Sequence, residues 1–349
     1  MRRKNSRLLA QADAGTLVDP DKTTVKGYIE AWLGVLPKDG ESRIPPPPGL
    51  SPKTAERYRE LAEHQIYPHL GAMVMQKLKP AQVANWHETL LASGGSTGKP
   101  LSARTVGHAH RVLHKALARA VQHELLARNV AASIKPPKVE EEEIEILTSD
   151  EIGILLAKIA GHDLGPVANA ALASGARRGE LLALSSECLD LDAATMRIER
   201  TLEQTKAGLR FKPPKTRNGL RTISLPTSAV TVLREHRRKQ LELRLQLGLG
   251  KPAPDALVFC RLDGSPIPPN NLSRDWARAC KSLDLPRVPF HALRHTHASA
   301  LIAAGHDVVT ISRRLGHKSP TTTLRIYAHL FNRGDEAVAD AIDAVMRGR

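Results

Sequence analysis

Apolar residues recur every three to four positions through the first third of the chain, the period of helices that bury one face. Val25, Ile29, Trp32, Leu33 and Leu36 form the first such stripe, with Thr23 or Thr24 placed to cap its start. Residues 37–52 break the pattern. Pro45-Pro46-Pro47-Pro48-Gly49 cannot continue a helix, and Ser51-Pro52 opens a new one running towards Tyr67. Two further helices are predicted over about 80–92 and 102–126, separated by a Gly/Ser-rich stretch. The second places Val106, His110, Leu113, Leu117, Ala120, Val121 and Leu125 on one side. These four helices predict a first domain over residues 23–133, preceded by a basic tail, 1–22.

Residues 134–147 read as a linker: they contain Pro136-Pro137 and the solvated run Glu140-Glu141-Glu142-Glu143. Thr148 and Glu151 then make a capping box ahead of Ile152, Leu155, Leu156 and Ile159, so a second domain is predicted over 148–349. Helical patterns at about 150–160, 164–174 and 178–185 lead into strand candidates at 194–201, 208–212 and 220–225. The last two bracket Asn218-Gly219, a turn signal out of simple two-residue register. Helical patterns resume at 227–246, 269–283, 291–304, 307–316 and 320–331, and a last segment, 335–346, carries Val338, Ile342 and Val345 on one stripe. The expected fold is mainly α with a small antiparallel sheet.

The 349 residues include 51 Lys+Arg and 36 Asp+Glu, a net charge of 51 − 36 = +15. Hydrophobic residues at 41% and charged residues at 25% are the balance of an ordinary globular protein rather than a disordered one. No stretch approaches the roughly 18 consecutive apolar residues of a membrane span. Met1-Arg2-Arg3-Lys4 leads into no apolar signal core, so a cytoplasmic, nucleoid-associated protein with no membrane partner is expected. Cys188, Cys260 and Cys280 are odd in number and lack CxxC spacing, and are read as buried small hydrophobes. The positive excess points to a phosphate polyanion, and aromatics at 3% leave little for stacking single strands, which favours duplex.

Charge is concentrated. Lys206, Arg210, Lys212, Lys215, Arg217 and Arg221 fall in one stretch without an acid. Between Arg287 and His329 lie Arg294, Arg313, Arg314, Lys318 and Arg325, six histidines, and the single acid Asp307. His291 and His295 are four apart on a predicted helix, but the Glu of HExxH is missing and the surrounding cations oppose zinc, so no metal or cofactor is expected. Phosphate uses the same residues better, through arginine forks and histidine donors. No GxxxxGK[ST] loop or carboxylate set is present to activate water, so a side chain must attack. Of the four tyrosines, Tyr28, Tyr58 and Tyr67 fall in the first domain; Tyr327 alone lies in the basic C-terminal region.

Taken in order, Ala173-Ser174-Gly175-Ala176-Arg177-Arg178-Gly179-Glu180-Leu181, Lys215-Thr216, His291-Ala292-Leu293-Arg294-His295-Thr296, Leu315-Gly316-His317-Lys318-Ser319 and Tyr327 resemble the signature of the tyrosine recombinases, the phage integrase family. The resemblance covers about 148–331, and the four-helix unit resembles the family's core-binding domain. It implies that Arg177 and Arg294 clamp the scissile phosphate, that His317 adds a hydrogen bond to it, and that His291 accepts or relays the tyrosine proton. Tyr327 would attack phosphorus to form a 3′-phosphotyrosine, and Lys215 would protonate the leaving 5′ oxygen, with Lys212 its rival. Glu180 would pair with a buried base to orient the site. The implied partners are double-stranded DNA, held between the two domains, and three further copies of the chain in a synaptic tetramer. The last helix would dock in cis or in trans, and accessory DNA-bending or directionality proteins are candidate partners. The leading function is integration or excision of a prophage or other mobile element. A non-catalytic DNA-binding regulator, a chromosome-dimer resolvase, a topoisomerase-like enzyme and a metal-dependent nuclease are the alternatives.

Overall fold

The computed structural model describes residues 19–34, 49–95, 97–140, 145–214, 216–331 and 335–347. Most of the basic tail, the proline run at 45–48, residues 141–144 of the acidic linker and Lys215 lie outside them. The chain divides into two compact units, Met1–Glu142 and Glu143–Arg349.

In the first unit, helix α1 (Val25–Trp32) is capped by Thr24, whose hydroxyl accepts from the Gly27 N–H at 3.1 Å. Helix α2 (Pro52–Leu61) starts at the Ser51-Pro52 pair but does not end at Tyr67. It widens into a π-helical stretch, Ala62–Ile66, and finishes in the turn Tyr67–Leu70. The cause is Pro68, which has no N–H to donate four residues back; beside it, the Tyr67 N–H reaches the Ala62 carbonyl, five back. Trp86 Nε1 donates to the Gln65 carbonyl at 2.7 Å and ties this turn to α3 (Pro80–Ser93). Helix α4 (Ala103–Gln122) is capped by Ser102 and buries Val106, His110, Leu113, Leu117 and Ala120, the stripe its spacing predicts. With Ile29, Trp32, Ile66, Trp86 and Leu90 these side chains, His110 aside, form one core.

The second unit opens with α5 (Ser149–Ile159), whose Thr148 and Glu151 cap each other reciprocally. Helix α6 (Gly165–Ser174) is built of small apolar residues, so neighbours can approach closely; it packs on α8 (Thr227–Gln246) and α10 (Ala292–Ala303). Helix α7 (Arg178–Leu181) is a single turn. The strands pair differently from expectation. β1 (Leu189–Asp190), β2 (Thr195–Ile198) and β5 (Arg221–Ser224) form one antiparallel sheet in the order β1-β2-β5. β3 (Thr201–Thr205) and β4 (Gly208–Lys212) form a separate hairpin. Asn218-Gly219 therefore does not join β4 to β5 as hairpin partners; it lies in a 3₁₀ turn, Arg217–Gly219, between the two sheets. The hairpin loop is Lys206-Ala207, and Gly208 at φ 123° supplies the positive φ its closure needs.

Helix α9 (Pro269–Ser282) contributes Trp276, fully buried, with Nε1 donating to the Val288 carbonyl at 2.8 Å. Helices α11 (Val308–Leu315) and α12 (Pro320–Tyr327) follow. With α10 they form a small second core of Ala298, Ile302, Ile311, Leu315 and Tyr327. Helix α13 (Asp335–Met346) exposes Ile342 and Val345; the side chain of Val338 lies outside the description. Cys188 and Cys280 are buried free thiols, and Cys260 is partly exposed. Among the described residues no helix is long and apolar enough to cross a membrane.

Trp276→Ala should destabilise the second unit by about 3–5 kcal/mol, the range for emptying a buried aromatic site. A denaturant midpoint equal to the parent's would show that Trp276 is not packed as described.

Candidate active site

Two helix ends build the site. Helix α6 ends at Gly175 and α11 at Gly316, both left-handed at φ 64° and 66°. Neither glycine can carry a side chain. A Cβ at Gly175 would lie 2.5 Å from His297 Cδ2, and one at Gly316 would lie 2.7 Å from Arg221 Nη1. The last carbonyls of a helix have no partner within it and carry its negative partial charge. Here arginines take them. Arg294 Nη1 donates to the Gly175 carbonyl at 2.6 Å and Nη2 to the Leu315 carbonyl at 2.7 Å. Arg177 Nη2 donates to Gly316, Arg221 Nε to Arg314, and Arg314 Nη2 to Ala173.

Among the described residues one carboxylate serves this cluster. Glu180 accepts from the Arg177 N–H and Nη1 at 2.8 Å each, and from Arg221 Nη2 at 2.8 Å. Burial alone would raise its carboxyl, but the hydrogen bonds and charge of Arg221 and Arg177 hold it below the usual range. The buried base expected to pair with Glu180 is thus Arg221. Arg294 is 3% exposed, and among the described residues it has no carboxylate bonded to it. Burial and the nearby Arg177 charge make its charged form costly. Arg177 keeps 41% of its side chain exposed.

The histidines are held neutral. His317, just beyond Gly316, bonds Nδ1 to the buried Thr323 hydroxyl at 2.8 Å; burial and the Arg294 charge lower it to about 4. His291 stands at the start of α10, lowered to about 4 by burial and by His295, against which its ring packs edge-on at 4.9 Å. His297 accepts from Arg314 Nε at 3.0 Å, which leaves Nδ1 to donate to the Leu172 carbonyl at 2.6 Å. Tyr327 is 1% exposed, and its hydroxyl meets His295 Nδ1 at 2.7 Å rather than His291. Burial raises its phenol to about 12, and the Arg294 charge acts the other way.

The structure therefore brings Arg177, His291, His317 and Tyr327 each within electrostatic reach of Arg294. Lys215 lies outside the described residues. Its rival Lys212 is ion-paired with Glu203, which Arg210 also contacts. Among the described residues no group of three or more His, Cys, Asp or Glu could hold a metal.

The Phage integrase family matches residues 146–333, and the Phage integrase, N-terminal SAM-like domain, matches 48–91. The chain belongs to the phage integrase family. This integrase-family chain is 27% identical over 333 residues to a tyrosine recombinase XerC-like protein of Caldanaerobacter subterraneus subsp. tengcongensis, covering 90% of this chain and 82% of that one. It is 27% identical to the ICEBs1 integrase of Bacillus subtilis, with 78% and 72% covered. Its fold is similar to that of the Tn1549 transposon integrase in complex with transposon right end DNA, at TM-score 0.73 and 20% identity over 93% of this chain and 99% of that one. A lambda integrase tetramer bound to a Holliday junction matches at TM-score 0.62 and 18% identity, covering 93% and 82%.

Arg221, Arg314, His295, His297 and Thr323 have no assigned role in the site on sequence alone. The signals for two of them lay close by: Arg314 directly precedes Leu315-Gly316-His317, and His295 follows Arg294.

His291, His297 and His317 titrate near 4 in the fold and near 6.5 when exposed, so the unfolded chain takes up their protons first. Their contribution to stability is complete above pH 6.5 and is lost as the pH falls towards 4. The melting temperature should drop steeply from pH 7 to 4.5; a flat profile would show that these rings are not buried as neutral groups.

Proposed function

We propose that the chain is a site-specific recombinase that breaks and rejoins double-stranded DNA through a 3′-phosphotyrosine at Tyr327, in the integration or excision of a mobile element. The observation that carries this reading is the setting of Tyr327. It is the one tyrosine of the second unit, it is buried, and the charge of Arg294 reaches its hydroxyl. Arg294 is itself a buried cation that, among the described residues, is hydrogen-bonded to carbonyls alone, and a phosphodiester is the anion that suits it.

Arg177 and Arg294 would hold the nonbridging oxygens and offset the charge that builds as phosphorus becomes five-coordinate. With the Thr323 hydroxyl donating to Nδ1, His317 has its Nε2–H to give to the same phosphate. The Tyr327 oxygen attacks, the bond from phosphorus to the 5′ oxygen breaks, and Lys215 protonates the leaving oxygen. The phosphotyrosine keeps the bond for religation, so the cycle needs no external energy source. Residues 23–133 would serve as the core-binding domain and 148–349 as the catalytic domain. The named DNA complex of the Tn1549 integrase and the lambda integrase tetramer support duplex DNA as substrate and a tetramer as the working assembly.

In EDTA, with nicked suicide duplexes drawn from the DNA flanking its gene, the protein should form a covalent adduct visible on a denaturing gel. Tyr327→Phe should abolish it, and Arg294→Ala should slow it by at least roughly 10²–10³, the loss for one transition-state donor. An adduct surviving Tyr327→Phe would overturn the assignment of the nucleophile. Tight binding without an adduct would favour a non-catalytic regulator.

A further inference from the structure

The phenol of Tyr327 must lose a proton to attack, and burial makes that proton harder to remove. Among the described residues the base that touches it is His295, at 2.7 Å through Nδ1. The other histidines of the site are placed differently. His317 has Nδ1 on Thr323, His297 is bonded through both nitrogens, and His291 stacks edge-on against His295. We propose that His295 is the general base that takes the Tyr327 proton, with His291 behind it; this rests on the phosphotyrosine reading above.

The chemistry is consistent at each atom. With hydrogen on Nε2, Nδ1 of His295 offers its lone pair to the phenol. As the bond from the tyrosine oxygen to phosphorus forms and the bond to the 5′ oxygen breaks, the phenolic proton passes to Nδ1. The leaving oxygen takes a proton from Lys215, and religation runs both transfers backwards. The groups facing His295 are His291 and Arg294 on its own helix, Tyr327 on α12 and His317 after α11. Burial and the Arg294 charge keep the ring neutral. A protonated His295 beside Arg294 is unfavourable until a phosphate brings negative charge between them, so the base works only on a loaded site. Because His295 follows Arg294 directly, the clamp and the base ride on one rigid helix.

In single-turnover cleavage of a nicked suicide duplex, His295→Gln should slow adduct formation by roughly 10²–10⁴, the usual worth of a general base. The parent's rate should fall as the pH drops through the lowered His295 range, since only the neutral ring accepts a proton. In His295→Gln that fall should disappear and the rate should climb with pH towards the phenol's range. Added imidazole should restore His295→Ala, which a packing role would not allow. A His295→Gln rate within about threefold of the parent with an unchanged profile, or a slow His295→Ala that imidazole leaves slow, overturns the proposal. An adduct that persists in Tyr327→Phe overturns the phosphotyrosine reading instead.

A second measurement needs no DNA. In protein labelled with 3-fluorotyrosine, the fluorine signal that Tyr327→Phe removes should move in His295→Gln. A signal that stays in place overturns the proposal.

Discussion

The carbonyl ends of α6 and α11 hold the arginines around which everything else in the site is arranged. A cluster of Arg177, Arg221, Arg294 and Arg314 with one buried carboxylate would repel itself. It persists because each guanidinium donates to at least one helix-terminal carbonyl, where the backbone dipoles are negative. Gly175 and Gly316 make those carbonyls reachable by turning the chain left-handed at the two helix ends. The same turn at Gly316 delivers His317 into the cluster.

This arrangement explains why charge is both concentrated and desolvated. Arg294 is pinned by carbonyls, which neutralise it only partly, so a cationic field remains for an anion to complete. Around it the histidines stay neutral and serve as donors or acceptors rather than as further charges. The proposed nucleophile is attached differently from the proposed clamp. Tyr327 belongs to a small core with Ala298, Ile302, Ile311 and Leu315, separate from the large core that carries Leu293. A small core opens at lower cost than a large one.

The helices were legible because each buries one stripe, and start signals such as Ser51-Pro52 and the Thr148–Glu151 box marked where they begin. Strand pairing was less so. Asn218-Gly219 is a stronger turn signal than Lys206-Ala207-Gly208, yet the β3–β4 hairpin forms at the second, and tertiary packing assigns β5 to β2. The helix expected to run from Pro52 towards Tyr67 is interrupted by the π stretch Ala62–Ile66, which apolar spacing does not signal. In the site, residue types and order pointed to one region. What they could not fix was which of two histidines four apart on one helix meets Tyr327, nor that Arg221 lies against Glu180, 41 residues away in the chain.

The proposed reaction joins Tyr327 covalently to DNA. The direct measurement is mass spectrometry of the trapped adduct after digestion with nuclease and trypsin. Cleavage after Arg325 and Arg333 isolates residues 326–333, in which Tyr327 is the sole tyrosine. This peptide should carry a nucleotide through the Tyr327 oxygen. A nucleotide on any other side chain would contradict it.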